Sequence, residues 1–285
     1  MPILPMVDAH VHLWDPTHFR IPWLDSSALL KQPYVLDAYR AHTDGLPIEG
    51  MVYVQVDVAP AYALLEAHFV AGLAQHEPRI GAIVAWAPLE DGDCARSYLD
   101  ALVSISPLIK GVRRIVQSEP DVNFSLRPDF VRGVQLLPAY GLTCDICINH
   151  TQLAATIALV RQCPEVAFML DHSGKPAIAA GQLEPWRAQM SELAALPNVL
   201  CKLSGLVTEA NHQNWTVEQL APYVQHVLAV FGEDRVVFGG DWPVVLLAAE
   251  YRRWVDALDS LTASLPEAAR HKLWAENARR FYRLG

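Results

Sequence analysis

The segment Val7-Asp8-Ala9-His10-Val11-His12-Leu13-Trp14-Asp15 places two histidines in an apolar run near the start of the chain. Such a run predicts a β-strand, in which residues two apart point to the same face. His10 and His12 would then converge on one small object, and we expect a divalent metal or a reacting carbonyl group. A chain with 11 histidines can also contain such a pair by chance. The rest of the sequence therefore has to show whether this histidine pair belongs to a functional site.

Seven further apolar runs follow along the chain, with amphipathic stretches between them. The eight predicted strands are residues 7–13, 50–56, 80–87, 109–116, 142–148, 166–170, 199–203 and 236–240. The predicted helices are residues 61–75, 94–103, 127–137, 153–163, 184–196, 217–231 and 248–261. This alternation, over a chain of this length, is typical of an α/β fold of the (β/α)8 TIM-barrel type. A doubly wound open sheet is the alternative, but no Gly-x-Gly-x-x-Gly follows a strand to support it.

The domain organisation is expected to be simple. No linker, charge block or composition shift divides the chain, so residues 1–285 predict one domain. Residues 266–284 carry apolar and aromatic side chains at helical spacing. We expect this segment to form a C-terminal helix that closes the barrel.

Composition excludes several classes of function. The net charge of −9 argues against sequence-independent binding to nucleic acid, which needs clustered Lys and Arg. No apolar run reaches the ~20 residues of a membrane span, and Met1 to Pro5 lack the features of a signal peptide. Five cysteines, an odd number, indicate reduced thiols. Cys144 and Cys147 match Cys-x-x-Cys, but they would point to opposite faces of a strand. We expect a cytoplasmic protein with a small-molecule ligand and no membrane partner.

Candidate reactive residues lie at the ends of the predicted strands, where a (β/α)8 barrel carries its active site. They are His10 and His12 in the first run, Arg113 in the fourth, His150 after the fifth, His172 after the sixth and Asp241 after the eighth. Imidazole and carboxylate ligands together suit zinc or manganese with an open position for water. Such a metal lowers the pKa of its water toward ~7 and polarises an ester carbonyl, so this set predicts hydrolysis.

Two of these residues have ordinary alternatives. His172 precedes Ser173-Gly174 and could end a strand and cap the next element, and Asp241 could be a turn residue before Trp242. Their positions at predicted strand ends favour a functional role for both. A carboxylate directly after an apolar strand also needs a partner.

Six short segments occur in a fixed order along the chain. They are Asp8-Ala9-His10-Val11-His12-Leu13-Trp14-Asp15-Pro16, Lys110-Gly111-Val112-Arg113, Asp171-His172-Ser173-Gly174-Lys175-Pro176, Lys202-Leu203-Ser204-Gly205, Gly240-Asp241-Trp242-Pro243 and Glu276-Asn277-Ala278-Arg279-Arg280-Phe281-Tyr282. Each is weak by itself, but together and in this order they are specific. The chain resembles the amidohydrolase superfamily, and within it the branch of sugar-acid lactonases. The resemblance covers nearly the whole chain and implies a (β/α)8 barrel.

The resemblance also implies roles for individual residues. The implied metal ligands are His10, His12, His150 and Asp241. Asp241 would in addition accept the proton of the attacking water, and His172 would orient water or the carbonyl. A bridging carboxylated lysine is not apparent, so the expected cofactor is one divalent ion, zinc or manganese. Because members of this branch differ in metal dependence, the histidines would act with or without it, and no organic cofactor is expected.

Substrate contacts are expected around this centre. Arg113 and Arg114 are adjacent, so only one can point into the barrel mouth. The family pattern favours Arg113 as the substrate contact and leaves Arg114 to an outer ion pair. Lys175 is equally compatible with a site role and with solvent exposure. Three tryptophans are candidates for an apolar wall against a ring or for core packing, namely Trp23, Trp86 and Trp242.

The sequence therefore predicts a lactonase that opens a small aldono-lactone, such as a fuconolactone or rhamnonolactone, by attack of an activated water. Two other enzyme classes remain open: a lactonase for aromatic-pathway pyrones or muconolactones, and a metal-dependent decarboxylase on the same barrel. A dicarboxylated pyrone would need several arginines at the strand ends, and Arg113 alone is convincingly placed there. A binding module without turnover is the alternative outside enzymes. The stereochemistry of the lactone and the oligomeric state are left open.

Overall fold

Eight parallel strands form one sheet in chain order within residues 4–285, which are the residues that the computed structural model describes. The strands are β1 (Met6–Val11), β2 (Ile48–Val54), β3 (Ile80–Ala85), β4 (Ile109–Arg113), β5 (Thr143–Ile146), β6 (Phe168–Leu170), β7 (Val199–Leu203) and β8 (Val236–Phe238). Val11 pairs in parallel with Trp242, so the chain after β8 meets β1 and the sheet curls into a nearly closed barrel. The predicted (β/α)8 fold is confirmed. The predicted domain and the N-terminal segment Met1 to Pro5 both include residues 1–3, which lie outside the described residues.

Helices follow the strands and cover the outside of the barrel. They are α1 (Leu36–His42), α2 (Ala63–Ala74), α3 (Arg96–Ile105), α4 (Pro128–Leu136), α5 (Leu153–Gln162), α6 (Trp186–Ala194), α7 (Val217–Phe231), α8 (Tyr251–Thr262), α9 (Glu267–His271) and α10 (Asn277–Tyr282). Among these described helices, none combines the length and apolar character that a membrane crossing requires. The sequence pattern found all of them except the short helix α1.

An apolar cluster fills part of the barrel interior. Strands of a parallel barrel are covered on both faces, which explains their nearly continuous apolar sequences. The interior cluster includes Val7, Ala9, Val52, Val54, Ala82, Val84, Met169 and Val237. Ala278 and Tyr282 of α10 join the same cluster. The C-terminal segment therefore closes the barrel where the strands begin, as predicted, although a π-helical turn at Lys272–Glu276 separates α9 from α10.

A register shift in β1 sets the direction of the histidines. Asp8 pairs with Met51 and Val11 pairs with Tyr53, so β1 advances three residues while β2 advances two. The extra residue is a β-bulge, a feature that re-aims side chains. Ala9 belongs to the interior cluster, and after the bulge His10 also lies inside the barrel, with its Nδ1 3.4 Å from Lys202 Nζ. Strict alternation along the strand would not place both residues inside.

Candidate active site

Five predicted site residues meet at the end of the barrel where the strands finish. They are His10 in β1, His12 directly after it, Arg113 at the end of β4, His172 after β6 and Asp241 after β8, and all are buried. A pair of backbone hydrogen bonds fixes Asp241 against β1: the Asp241 N–H donates to the His10 carbonyl at 2.8 Å, and the His12 N–H donates to the Trp242 carbonyl at 2.8 Å. The local strand-end rule therefore located this group correctly.

The carboxylate of Asp241 is the centre of the group. Its Oδ1 lies 3.5 Å from His12 Nε2, 3.8 Å from His10 Nε2 and 3.9 Å from His172 Nε2. Burial opposes ionisation of Asp241, but the facing His172 holds its pKa below the ordinary value. Asp241 is therefore a carboxylate at neutral pH and available as a proton acceptor.

Hydrogen bonds fix which nitrogen of His12 carries its proton. His12 Nδ1 lies 2.7 Å from the Val54 carbonyl oxygen, which only accepts hydrogen bonds, so Nδ1 is the donor. Nε2 is then unprotonated in the neutral ring and faces Asp241. For His10, Nδ1 lies 3.4 Å from Asp171 Oδ1, and Nε2 lies 3.2 Å from the donor Arg113 Nη1, so Nε2 accepts.

Burial keeps the three histidines neutral. It lowers the pKa of His172 to about 4 against the opposing charge of Asp241. Burial likewise lowers the pKa of His10 and of His12. Neutral imidazole is the form that binds a metal.

Two sets of residues have the chemistry and spacing of metal ligands in the described chain. One consists of His10, His12 and Asp241, and the other of His10, Asp171 and His172, with all ligand atoms of each set within 4.8 Å of one another. Two neutral imidazoles and a carboxylate oxygen suit zinc, so the first set fits a mononuclear site. Arg113 Nη1 lies 3.2 Å from His10 Nε2, and this contact would have to be given up if His10 held a metal through Nε2.

A buried ion-pair network of Lys202, Asp145 and Asp171 lies beside this group of residues. Lys202 of β7 is fully buried, and its Nζ lies 2.7 Å from Asp145 Oδ2 and 2.9 Å from Asp171 Oδ1. Burial opposes ionisation of Asp171, but the Lys202 charge holds its pKa well below the ordinary value. Tyr282 donates to Asp145 Oδ2 at 2.6 Å. The network thus connects α10 to the carboxylate that faces His10.

A cavity of about 190 Å³ opens above Asp241. This is below the ~300–1,000 Å³ of pockets for drug-sized ligands, so it suits one small ring. Its apolar wall consists of Trp23, Val56, Ile115 and Val244, and its polar residues include Asp57, Gln117, Ser118, Lys175 and Thr208 beside His12, Arg113, His172 and Asp241. Lys175, whose role the sequence left open, therefore lies at the cavity.

Three predicted site residues lie elsewhere. His150 is half-buried, its Nδ1 is 3.1 Å from the Lys175 carbonyl oxygen, and it belongs to neither ligand set of the described chain. Trp86 packs against Tyr98, with ring centroids 5.5 Å apart. The ring of Trp242 packs against Tyr34 at 5.4 Å on the outer side. None of the three lines the cavity.

The cysteines behave as the strand pattern suggested. Cys147 lines the cavity above Asp241, whereas Cys144 lines a separate small cavity together with Asp145. Both are free thiols. Burial raises the pKa of each thiol, which makes both weak nucleophiles.

The backbone around the cavity is strained. Four of the six described non-glycine residues with positive φ line it: Asp57, His172, Lys175 and Asp241. Such conformations cluster at functional sites because surrounding contacts must hold them in place. A sequence does not reveal them, since aspartate, histidine and lysine are ordinary residues in any loop.

Several contributors were missed as site residues. Asp171, Lys202 and Ser204 stand inside the quoted segments, and alternation along β7 could have indicated that Lys202 shares a face with Ser204. Ser204 Oγ lies 2.9 Å from His172 Nδ1. No sequence pattern indicated Asp57 as a site residue, because it follows β2 in a loop without a recognisable motif.

Comparison with known proteins shows the family of this chain. The amidohydrolase family model (Amidohydro_2) matches residues 7–284. The chain is 34% identical to L-fucono-1,5-lactonase of Burkholderia multivorans over 98% of this chain and 96% of that protein. It is 22% identical to L-rhamnono-gamma-lactonase of Scheffersomyces stipitis, over 98% of each chain.

A solved structure is similar over the entire barrel. It is the crystal structure of an amidohydrolase from Burkholderia multivorans with bound zinc, at 32% sequence identity and a TM-score of 0.89. The match covers 99% of this chain and 100% of that chain. The likeness therefore extends well beyond the strand-end residues.

Proposed function

The chain belongs to the amidohydrolase family and is a hydrolase, and we propose that it opens a small sugar-acid lactone to the hydroxy acid. The observation that carries the proposal is the position of Asp241, an ionised acceptor that faces three neutral histidines beneath a cavity of about 190 Å³. This arrangement suits attack of water on one ester bond of a small ring. The names of the two curated relatives, a fuconolactonase and a rhamnonolactonase, support the same substrate class.

Asp241 acts as the base in this mechanism. A water beside its carboxylate gives one proton to Asp241 while the water oxygen adds to the lactone carbonyl carbon. The tetrahedral intermediate then collapses, and the bond between the carbonyl carbon and the ring oxygen breaks. Asp241 returns the proton to the ring oxygen, which becomes the hydroxyl of the product.

Arg113 and His172 stabilise the negative charge that develops on the carbonyl oxygen. Arg113 lines the cavity, and its guanidinium is fixed there by the Asp171 carboxylate and the Gln55 carbonyl. Ser204 can donate to His172 Nδ1, which places the ring proton of His172 on Nε2, facing Asp241. Fixed donors in a buried site stabilise an oxyanion more strongly than water does.

A divalent metal fits the same residues, and His10, His12 and Asp241 would hold it. When bound, a zinc or manganese ion lowers the pKa of a bound water toward ~7 and polarises the carbonyl. His150, which was expected to join this set, makes its contact with Lys175 and is left out of the proposal.

The charges around the cavity favour a neutral lactone. Arg113 Nη1 donates to Asp171 Oδ2 at 3.0 Å, and Lys175 Nζ lies 3.9 Å from Glu209 Oε1. Both cations of the cavity are therefore already opposed by carboxylates. A dicarboxylated pyrone would bring two more negative charges without matching free cations, which is costly in a buried site.

A panel of freshly prepared lactones tests the proposal, with acid release followed by a pH indicator. We expect neutral six-membered sugar lactones to exceed dicarboxylated pyrones by at least about tenfold in kcat/KM. Asp241→Asn should fold normally by circular dichroism but lose about 10²- to 10⁴-fold in kcat. A preference for the dicarboxylate, or the absence of turnover with every lactone, would contradict the proposed substrate class.

A further inference from the structure

Asp57 lines the cavity and lies three residues after the end of β2. Its backbone has φ of +55°, and its N–H donates to the side-chain oxygen of Gln55. Gln55 is in turn held by Arg113, since Gln55 Nε2 donates to the Arg113 carbonyl at 3.2 Å and Arg113 Nη2 donates to the Gln55 carbonyl at 2.5 Å. The loop is therefore held by the side chains of Gln55 and Arg113, and the side chain of Asp57 makes none of these contacts.

The carboxylate of Asp57 has no protein partner in the described part of the chain, although it is half-buried. The nearby cation Arg114 is occupied, because its Nε donates to Glu90 Oε1 at 2.9 Å and its Nη2 donates to Glu119 Oε1 at 2.7 Å. The other charged groups of the cavity also have partners: Arg113 pairs with Asp171, and Lys175 faces Glu209. Asp57 thus differs from the other charged residues around it.

A half-buried carboxylate without donors is unfavourable, and a ligand that supplies donors removes that penalty. A carboxylate only accepts hydrogen bonds, and its two oxygens can accept from two neighbouring hydroxyls. It also repels a second carboxylate. Asp57 and Asp241 line the same cavity of about 190 Å³, which has room for a small ring.

We propose that Asp57 is the specificity-determining residue that accepts hydrogen bonds from adjacent hydroxyls of a neutral polyhydroxylated lactone and excludes lactones that carry a carboxylate. This inference rests on the proposed lactonase function, and it adds that the enzyme recognises the hydroxyl groups of the substrate. Asp57 does not take part in the proton transfers, which belong to Asp241.

Two variants separate the carboxylate from the loop. Asp57→Asn keeps the shape and tolerates positive φ, and Asp57→Gly removes the side chain at a φ that glycine adopts freely. Glu119→Gln is the matched control, because it removes a charge beside the same loop at a residue outside the cavity lining. Thermal melts of all variants verify folding.

The assay compares kcat/KM for a hydroxylated six-membered aldonolactone with that for δ-valerolactone, which has the same ring without hydroxyls. Asp57→Asn and Asp57→Gly should lose about 10- to 100-fold with the hydroxylated lactone and little with δ-valerolactone, since hydrogen bonds to a charged group are worth this much. Both variants should also gain activity with a lactone that carries a carboxylate. Glu119→Gln should keep the wild-type ratio. Equal losses with both neutral lactones would overturn the proposal.

A binding measurement tests Asp57 independently of turnover. Calorimetry with a neutral aldono-1,5-lactam, a ring that resists hydrolysis, should give weaker binding to both Asp57 variants than to wild type by a similar factor. If no lactone is hydrolysed but this difference is found, the lactonase function fails and the role of Asp57 in hydroxyl recognition stands. Equal binding to wild type and variants, or no binding to any of them, overturns the role of Asp57.

Discussion

Gly205 lies where a methyl group would displace two catalytic side chains at once. It follows β7 with φ of +63°, and an added Cβ would lie 2.5 Å from His172 Nδ1 and 3.1 Å from Asp241 Oδ2. Ordinary contacts begin near 3.4 Å, so His172 would have to move by about 0.9 Å. That movement breaks the 2.9 Å contact between His172 Nδ1 and Ser204 Oγ. A misplacement of ~1 Å in a catalytic group can cost ~10²-fold in rate.

Gly205→Ala should therefore lose about 10²-fold in kcat with the preferred lactone. The positive φ adds about 1–2 kcal/mol to the loss of unfolding free energy for any alanine. Gly181→Ala is the matched control, because Gly181 has the same φ of +63° and no heavy atom within 4 Å of its added Cβ. Urea denaturation and steady-state kinetics on both variants separate the two effects. A folded Gly205→Ala enzyme with wild-type kcat, or an equal loss of activity in Gly181→Ala, would refute the steric argument.

Three further predictions concern charge, metal and pH. Arg113→Met should reduce kcat/KM for the sugar lactone by about 10²-fold, because it removes an oxyanion donor. Steady-state kinetics measure this effect, and wild-type activity in the variant would exclude that role. Elemental analysis should find at most about one divalent metal per chain; two tightly held ions would contradict the single ligand set. Burial raises the pKa of Glu66 to about 7 against donors from Tyr53 and the Val56 N–H, so the folded state holds this proton more tightly than the unfolded state. The unfolding free energy should then fall by about 3 kcal/mol as pH rises from about 4.5 through 7, and urea denaturation of Glu66→Gln should show a flatter profile.

The sequence was most informative where structure follows from local rules. Apolar runs alternating with amphipathic stretches are enough to predict the barrel, because each strand and helix carries its own periodicity. The ends of these strands then locate His10, His12, Arg113, His172 and Asp241 in one group, since parallel strands of a barrel finish at the same edge.

The same rule misplaced His150 and Trp242 for identifiable reasons. Strand β5 ends at Ile146, four residues before His150, and by then the chain has turned into a short 3₁₀ helix whose geometry directs the ring to Lys175. Trp242 lies beyond the end of β8, and the preceding Asp241 has φ of +55°, so strand alternation does not extend to this position. The Trp242 ring packs against Tyr34 and away from the cavity.

Contacts between distant segments lie beyond such rules. Lys202 binds Asp145, which lies 57 positions away in the sequence. This contact forms only because the fold brings their two strands together in the barrel core. Nothing local distinguishes a lysine in a buried network from one that reaches solvent. A buried lysine in a predicted strand is a signal that a partner exists, but the partner emerges only from the fold.

The strained backbone at the cavity connects stability with function. Asp57, His172 and Asp241 each adopt positive φ, a conformation that costs non-glycine residues about 1–2 kcal/mol. Glycine at these positions would relieve the strain, so the side chains are maintained at the expense of stability. That cost is expected where a side chain has chemistry to perform, as Asp241 and His172 do. Asp57 carries the same strain, and its carboxylate has no protein partner among the described residues. We therefore infer from the backbone that this side chain is maintained because it binds a ligand.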